Sequence, residues 1–175
     1  MRTMLRTGLA LSIAQALSFN ALAQTPDVRP AGSDTYQWSG ELVSFDSTAN
    51  TATVKARIVD QDAAAEAKTF KVGDRVLLQW SGYDVYADAI RRVMPYTESR
   101  NANDRFLLPV ELASNETPNQ YLTFRLRMPA ASASALKSVK PGEWITVTSS
   151  HKAVRETDAV VSARPYVTTS TPSTD

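Results

Sequence analysis

The sequence predicts an all-β fold, built as a tandem duplication of one small unit. Short runs in which apolar and polar residues alternate occur along most of the chain, which is the pattern of half-buried strands. A turn made of glycine and an acidic residue, followed by such a run, occurs twice, within residues 68–80 and within residues 137–149. A repeat of about 70 residues is longer than a solenoid repeat and has the size of a small domain.

The two copies align beyond the shared turn. Residues 41–44 and 53–57 match residues 70 positions later, and so does the pair Pro95-Tyr96. The glycine–acid turns lie 69 positions apart, because the preceding connection is one residue shorter in the second copy. A chance likeness between strands rich in Val, Thr and Gly is the alternative explanation.

The first 23 residues have the pattern of an export signal. Arg2 and Arg6 supply positive charge, an interrupted apolar stretch runs over residues 9–22, and small residues end at Ala23, where cleavage is expected. A membrane span needs about 20 predominantly apolar residues, so no span is predicted. These features indicate a periplasmic or secreted protein.

The charge of the mature chain is close to zero. The full sequence has 19 basic and 18 acidic residues; Arg2 and Arg6 leave with the signal, so 17 basic residues remain against 18 acidic ones. A near-neutral chain has no bulk electrostatic attraction for nucleic acid, so no nucleic-acid partner is predicted. The sequence has no cysteine, so an apolar core must stabilise it in an oxidising compartment.

The first copy spans residues 36–96 and follows a flexible spacer at residues 24–35. Its predicted elements are strand 36–45, turn 46–50, strand 51–59, an alanine-rich helical turn at 60–67, a short arm at Phe70, strand 75–80 and strand 86–94. Trp80 continues the inward phase of Val76 and Leu78, so we expect it in the core.

The second copy spans residues 106–167, between a polar linker at 97–105 and a disordered tail rich in Ser, Thr and Pro at 168–175. It repeats the order of elements and ends in a strand over 157–167. Five short strands per copy fit a small barrel similar in shape to an OB-fold, giving two lobes. A single β-sandwich of about ten strands is the alternative. Trp144 has the opposite phase to Ile145, and we expect it to pack between the copies.

Residue supply excludes several chemistries. Without cysteine there is no thiol catalysis and no Cys-zinc site. His151 is the only histidine, and we expect it to be a solvated loop residue. The mature chain keeps only Met94 and Met128 as thioether ligands, and methionines at strand ends usually fill the core. No catalytic residue, metal ligand or cofactor is predicted.

Acidic residues recur at equivalent positions in the copies. Asp88 matches Asp158, and Glu41 matches Glu111. A single hydrolytic site rarely needs its acid duplicated, so a structural role is the preferred interpretation; for the two aspartates we expect bonds to backbone at the start of a strand.

Two surface features favour binding. Lys55 and Arg57 point outward in the first copy, as Arg125 and Arg127 do in the second, which predicts two basic stripes able to hold an acidic partner. A solvated face that protects sheet edges is the alternative.

The second feature is a turn after Trp80 that carries Tyr83 and Tyr86, an aromatic tip suited to protein or sugar contact. The sequence therefore favours an exported, non-catalytic binding or scaffold module, an accessory subunit with another protein or an envelope glycan as partner. The alternatives are a carbohydrate or cell-envelope polymer binder and, third, a periplasmic hydrolase or metal carrier.

Overall fold

The computed structural model describes residues 34–80, 89–99, 105–151 and 153–167. Within them lie eight strands: β1 Thr35–Asp46, β2 Thr51–Arg57, β3 Arg75–Trp80, β4 Ile90–Pro95, β5 Leu107–Ser114, β6 Tyr121–Arg127, β7 Trp144–Ser150 and β8 Val160–Pro165. The helices are α1 Gln61–Ala67, α2 Ala130–Leu136 and α3 Glu156–Ala159, with a short 3-10 turn at Pro118–Gln120.

The described strands form one antiparallel sheet in the order β4-β3-β5-β6-β2-β1-β7-β8. If every strand of the first copy is exchanged for its counterpart in the second, this order reads the same from the other end. The strand order is therefore symmetric about β2 and β6, which pair from Thr51 opposite Arg127 to Arg57 opposite Tyr121. The predicted all-β class is confirmed.

The first and second parts of the chain exchange strands within the sheet. Strand β7 of the second copy pairs with β1, and β3 of the first copy pairs with β5. The eight described strands form neither two separate five-stranded barrels nor a ten-stranded sandwich. Among the described strands, β4 and β8 each have one neighbour in the sheet, so the sheet is not closed.

The two glycine–acid turns have the same conformation. Gly73 and Gly142 have φ angles of +92° and +90°, a region that a side chain penalises. The acid after each glycine, Asp74 or Glu143, accepts the backbone N–H of the lysine three residues earlier, at 2.8 or 2.9 Å. Each turn thus has a fixed shape, which explains why the sequence repeats it.

The sheet curls around an aromatic core. The rings of Trp38 on β1 and Trp80 on β3 stack with centroids 4.6 Å apart, although these strands are not neighbours in the sheet. Phe124 on β6 lies 6.0 Å from Trp38. A parallel bridge between Ile58 and Ile90 brings the start of β4 back towards β2. Trp80 is 2% exposed, which confirms its predicted place in the core.

The connections differ in part from the prediction. The alanine-rich segment forms α1, and the Asp60 carboxylate caps it by accepting the N–H of Asp62 at 2.9 Å. The predicted arm at Phe70 is not a strand but part of the turn after α1. The last strand begins at Val160 rather than at residue 157, because α3 occupies the residues before it.

Several predictions lie outside the described residues. These are the export signal, residues 24–33 of the spacer, residues 100–104 of the linker, the tail, and the side chains of Tyr83, Tyr86 and Asp88. In the part of the chain that is described, the helices are too short to cross a membrane.

Candidate binding surface

The four predicted basic residues lie on one face of the central strands. In β2 and β6 the buried residues alternate with half-buried or exposed ones, and Lys55, Arg57, Arg125 and Arg127 belong to the second set. We call this side of the sheet the outer face. Because β2 and β6 pair, the two predicted stripes lie side by side on this face.

Two of these basic residues, Lys55 and Arg125, form ion pairs with carboxylates. Lys55 Nζ lies 2.7 Å from Glu41 Oε2, and Arg125 forms the equivalent ion pair with Glu111. The pairs are set by the register, which places Glu41 opposite Lys55 and Glu111 opposite Arg125. Glu41 and Glu111 therefore have the structural role expected for duplicated acids, and the surface has mixed charge.

These ion pairs belong to two equivalent rows that cross the strands. The first, the tryptophan row, consists of Trp144, Glu41 and Lys55, which are opposite one another in β7, β1 and β2, together with Tyr121. Tyr121 is diagonal to Lys55 in the β2–β6 pair, and Lys55 Nζ lies 5.4 Å from its ring centroid. The row ends in an aromatic residue on each side, with an ion pair between them.

The second row, the arginine row, consists of Arg75, Glu111 and Arg125. Arg75 occupies the position that Trp144 has in the tryptophan row. Its guanidinium lies 3.9 Å from the ring centroid of Tyr96, and its Nε donates to Glu156 at 2.6 Å. This ion pair raises the pKa of Arg75, so the arginine stays charged.

Trp144 corrects the prediction made for it. It was expected between the copies, yet 37% of it is exposed. The copies lie side by side in one sheet instead of face to face, so the outward phase of β7 points Trp144 away from the core. A large apolar ring is therefore partly exposed beside the ion pair of Glu41 and Lys55.

The remaining members of the predicted stripes sit at opposite ends of the central pair. Arg57 ends β2, is half-buried and lines a cleft, whereas Arg127 ends β6 and is exposed. The stripes therefore do not act as one continuous basic patch.

His151 is buried, so its prediction as a solvated loop residue was wrong. It is 8% exposed, stacks on Tyr36 with ring centroids 4.8 Å apart, and makes a T-shaped contact with Phe106 at a centroid distance of 4.6 Å. Its Nδ1 accepts the backbone N–H of Phe106 at 3.2 Å. Burial lowers the pKa of His151, with a further lowering by Arg105 and a smaller opposite effect of Asp34. The imidazole is thus a neutral packing group.

The other candidate chemical groups lie apart. The Asp158 carboxylate accepts the Thr157 hydroxyl at 3.1 Å, where a bond to backbone was expected. Met128 is buried and Met94 is half-buried. Nowhere in residues 34–80, 89–99, 105–151 and 153–167 do three His, Asp or Glu side chains gather as metal ligands would.

No protein-family model, curated protein or solved structure matches the chain. The tryptophan row offers the clearest chemistry for recognition: an exposed aromatic ring beside a cation and an anion whose positions are fixed by strand pairing.

Proposed function

We propose that this protein is an exported, non-catalytic binding module, an accessory or scaffold subunit of an envelope or extracellular complex. Its contact surface is the outer face, with the tryptophan row at the centre of the contact. The observation that supports this is Trp144, an exposed tryptophan on a rigid strand in a row of charged residues. Binding energy in protein contacts is concentrated in Trp, Tyr and Arg side chains, which makes Trp144 the anchor.

The neighbours of Trp144 are already arranged for binding. The Lys55–Glu41 ion pair holds both side chains in place, with 33% and 26% of them exposed. A partner that bonds to them loses little rotamer entropy, because strand pairing and the ion pair have already restricted both groups. The row therefore combines a flat apolar contact with hydrogen-bonding groups at fixed positions.

The difference between the two rows favours a role for Trp144 beyond the fold. Arg75, its counterpart, bonds to Glu156 and covers Tyr96, which suits a solvated sheet face. The same backbone position thus accepts a charged residue, and the fold does not require an aromatic one. Contact with a partner would explain why an exposed tryptophan is present at this position.

An envelope carbohydrate polymer is the second candidate ligand. Trp144 lies on an open sheet face with Glu41 opposite it, so an aromatic ring adjoins hydrogen-bonding side chains, as sugar contacts require. The hydrolase and metal-carrier alternatives have weaker support, because Glu41 and Glu111 are engaged in ion pairs.

We also propose that the chain arose by duplication of one small β unit, with copies at residues 36–96 and 106–167. The symmetric strand order supports this, as do bulges at equivalent positions in β1 and β5. Divergence between the copies then produced the difference between the rows.

The test uses the mature chain, residues 24–175, immobilised and exposed to envelope extract and to a panel of purified polysaccharides. Wild type is compared with Trp144→Ala and with Val72→Ala, a control that removes an exposed apolar side chain elsewhere. We expect wild type and the control to retain the same material and Trp144→Ala to retain at least tenfold less. Protease-sensitive material identifies a protein partner, and bound polysaccharide identifies a glycan. Equal retention by Trp144→Ala contradicts the proposal.

A further inference from the structure

A cleft opens where β2 ends, outside the tryptophan row. Its volume is about 370 Å³, and it is lined by Arg57, Ile58, Val59, Asp60, Arg91 and Gln120. These residues come from three parts of the chain: the end of β2 with the connection to α1, the start of β4, and the turn before β6. The cleft is therefore a product of the tertiary fold.

Backbone hydrogen bonds fix its walls. The N–H of Ile58 donates to the carbonyl of Gln120 at 2.6 Å, and the N–H of Val59 donates to the carbonyl of Ile90 at 3.1 Å. Asn119 and Gln120 have φ angles of +54° and +64°, a left-handed conformation uncommon outside glycine. These hydrogen bonds and the left-handed turn define the shape of the cleft.

The lining suits an oxygen-rich anion. The lining includes two arginines, Arg57 and Arg91, and one acidic residue, Asp60, whose carboxylate already caps α1. Each guanidinium has five N–H donors, so it can serve its existing contacts and still bind an oxyanion. The planar fork of arginine matches phosphate and carboxylate oxygens, and the amide of Gln120 adds a neutral donor.

The counterpart in the other copy lacks this chemistry. The N–H of Met128 donates to the carbonyl of Asn50 at 2.7 Å, as Ile58 does to Gln120, so this hydrogen bond occurs in both copies. The bond from the N–H of Val59 does not, because Val59 corresponds to Pro129, which has no N–H. Arg127 corresponds to Arg57, but Val161 stands in the place of Arg91 and is 51% exposed. The fold by itself does not require the second arginine.

We propose that the cleft is a binding site for an oxyanion, a phosphate ester or a carboxylate, held between Arg57 and Arg91 with Gln120 at its edge. This site shares no residue with the tryptophan row, although Arg57 lies opposite Tyr121 in the paired strands, and its test does not depend on the role of Trp144. The assignment rests on two arginines that line the same cleft in the first copy, where the second copy has only one.

The experiment follows the side-chain N–H signals of the arginines and of Gln120 by NMR in the full mature chain at low ionic strength. The probes are inorganic phosphate and glucuronate, titrated separately. The variants are Arg91→Val, which copies the residue of the second repeat, Arg57→Met, and the control Arg127→Met, which removes the equivalent cation from the other end of the central pair. The backbone spectrum of each variant reports whether it is folded.

We expect saturable shifts of Arg57, Arg91 and Gln120 in wild type and in Arg127→Met, and affinity at least tenfold lower in both Arg91→Val and Arg57→Met. Tighter binding of phosphate assigns the site to phosphate esters, and tighter binding of glucuronate assigns it to acidic sugars. Shifts that do not saturate, or an equal loss in Arg127→Met, overturn the proposal, because either result means diffuse attraction to surface charge. If Arg91→Val does not fold, Arg57→Met decides the question.

Discussion

The backbone N–H of Gly73 donates to the carbonyl oxygen of Leu112 at 2.8 Å, so a turn of the first copy is bonded to a strand of the second. The reciprocal bond runs from Gly142 to the carbonyl of Leu42, also at 2.8 Å. Each copy thus anchors the other's first strand. The outer face depends on this exchange, because Trp144 of the second copy stands beside Glu41 of the first.

Replacing either turn glycine by alanine should destabilise the protein by a similar amount, about 1–2 kcal/mol. Both residues have φ near +90°, and a Cβ added at either would meet no other atom within 4 Å, so backbone strain is the whole effect. Urea denaturation of Gly73→Ala and Gly142→Ala measures it, with Val72→Ala as a control that should change stability by less than about 0.5 kcal/mol. Clearly unequal losses would show that the turns are not equivalent.

Ser149→Ala should cost about 1–3 kcal/mol of unfolding free energy. The Ser149 hydroxyl accepts the indole N–H of Trp38 at 2.9 Å in the buried core, and its removal leaves that donor without a partner. Ser162→Ala, at an exposed position of β8, is the control. A loss no larger than that of the control, measured by urea denaturation, would mean that this hydrogen bond contributes little.

Stability should fall as the pH drops below about 6.5. Burial lowers the pKa of His151 from its ordinary 6.5, so the unfolded chain binds the proton more tightly than the folded one. The stability contributed by the neutral imidazole is complete above the unfolded pKa and is lost as the pH falls through the lower folded pKa. Protonation also removes the acceptor for the Phe106 N–H.

Urea denaturation at pH 7.5 and at pH 5 measures this effect in wild type and in His151→Gln. The decrease in unfolding free energy between the two pH values should be larger in wild type, because the variant lacks the titrating group. Arg105 strengthens the shift and Asp34 opposes it, so both belong to the same pH response. An identical decrease in the two proteins would exclude His151 as its source.

Local features of the fold could be predicted from the sequence, because they depend on residues close together in the chain. Alternation placed Lys55 outward and Trp80 inward, and both placements are observed. The alanine-rich connection indicated α1. Strand partners could not be predicted, since β1 can form the same backbone ladder with β3 as with β7, and their sequences alternate in the same way.

The candidate site was predicted only in part, with Lys55 but without Trp144, for the same reason. The phase of Trp144 showed that it points away from its own core, but what covers it depends on which strands are paired. His151 lies just beyond a strand end, where solvent is the usual environment. It is buried because Tyr36 and Phe106, contributed by different copies, enclose it.

The exchange of strands between the copies is tested most directly with paired cysteines in this cysteine-free chain. Gln37 and Thr148 are opposite each other in β1 and β7, with a side-chain hydrogen bond of 3.4 Å. Opposed residues of antiparallel strands lie within disulfide reach. Gln79 is the first-copy counterpart of Thr148, and it would be opposite Gln37 if each copy paired only with itself.

Under mild oxidation, Gln37→Cys with Thr148→Cys should form an intramolecular disulfide, detected by mass spectrometry, while Gln37→Cys with Gln79→Cys should remain reduced. The opposite pattern, a disulfide between positions 37 and 79 and none between 37 and 148, would contradict the shared sheet and the binding surface that it creates.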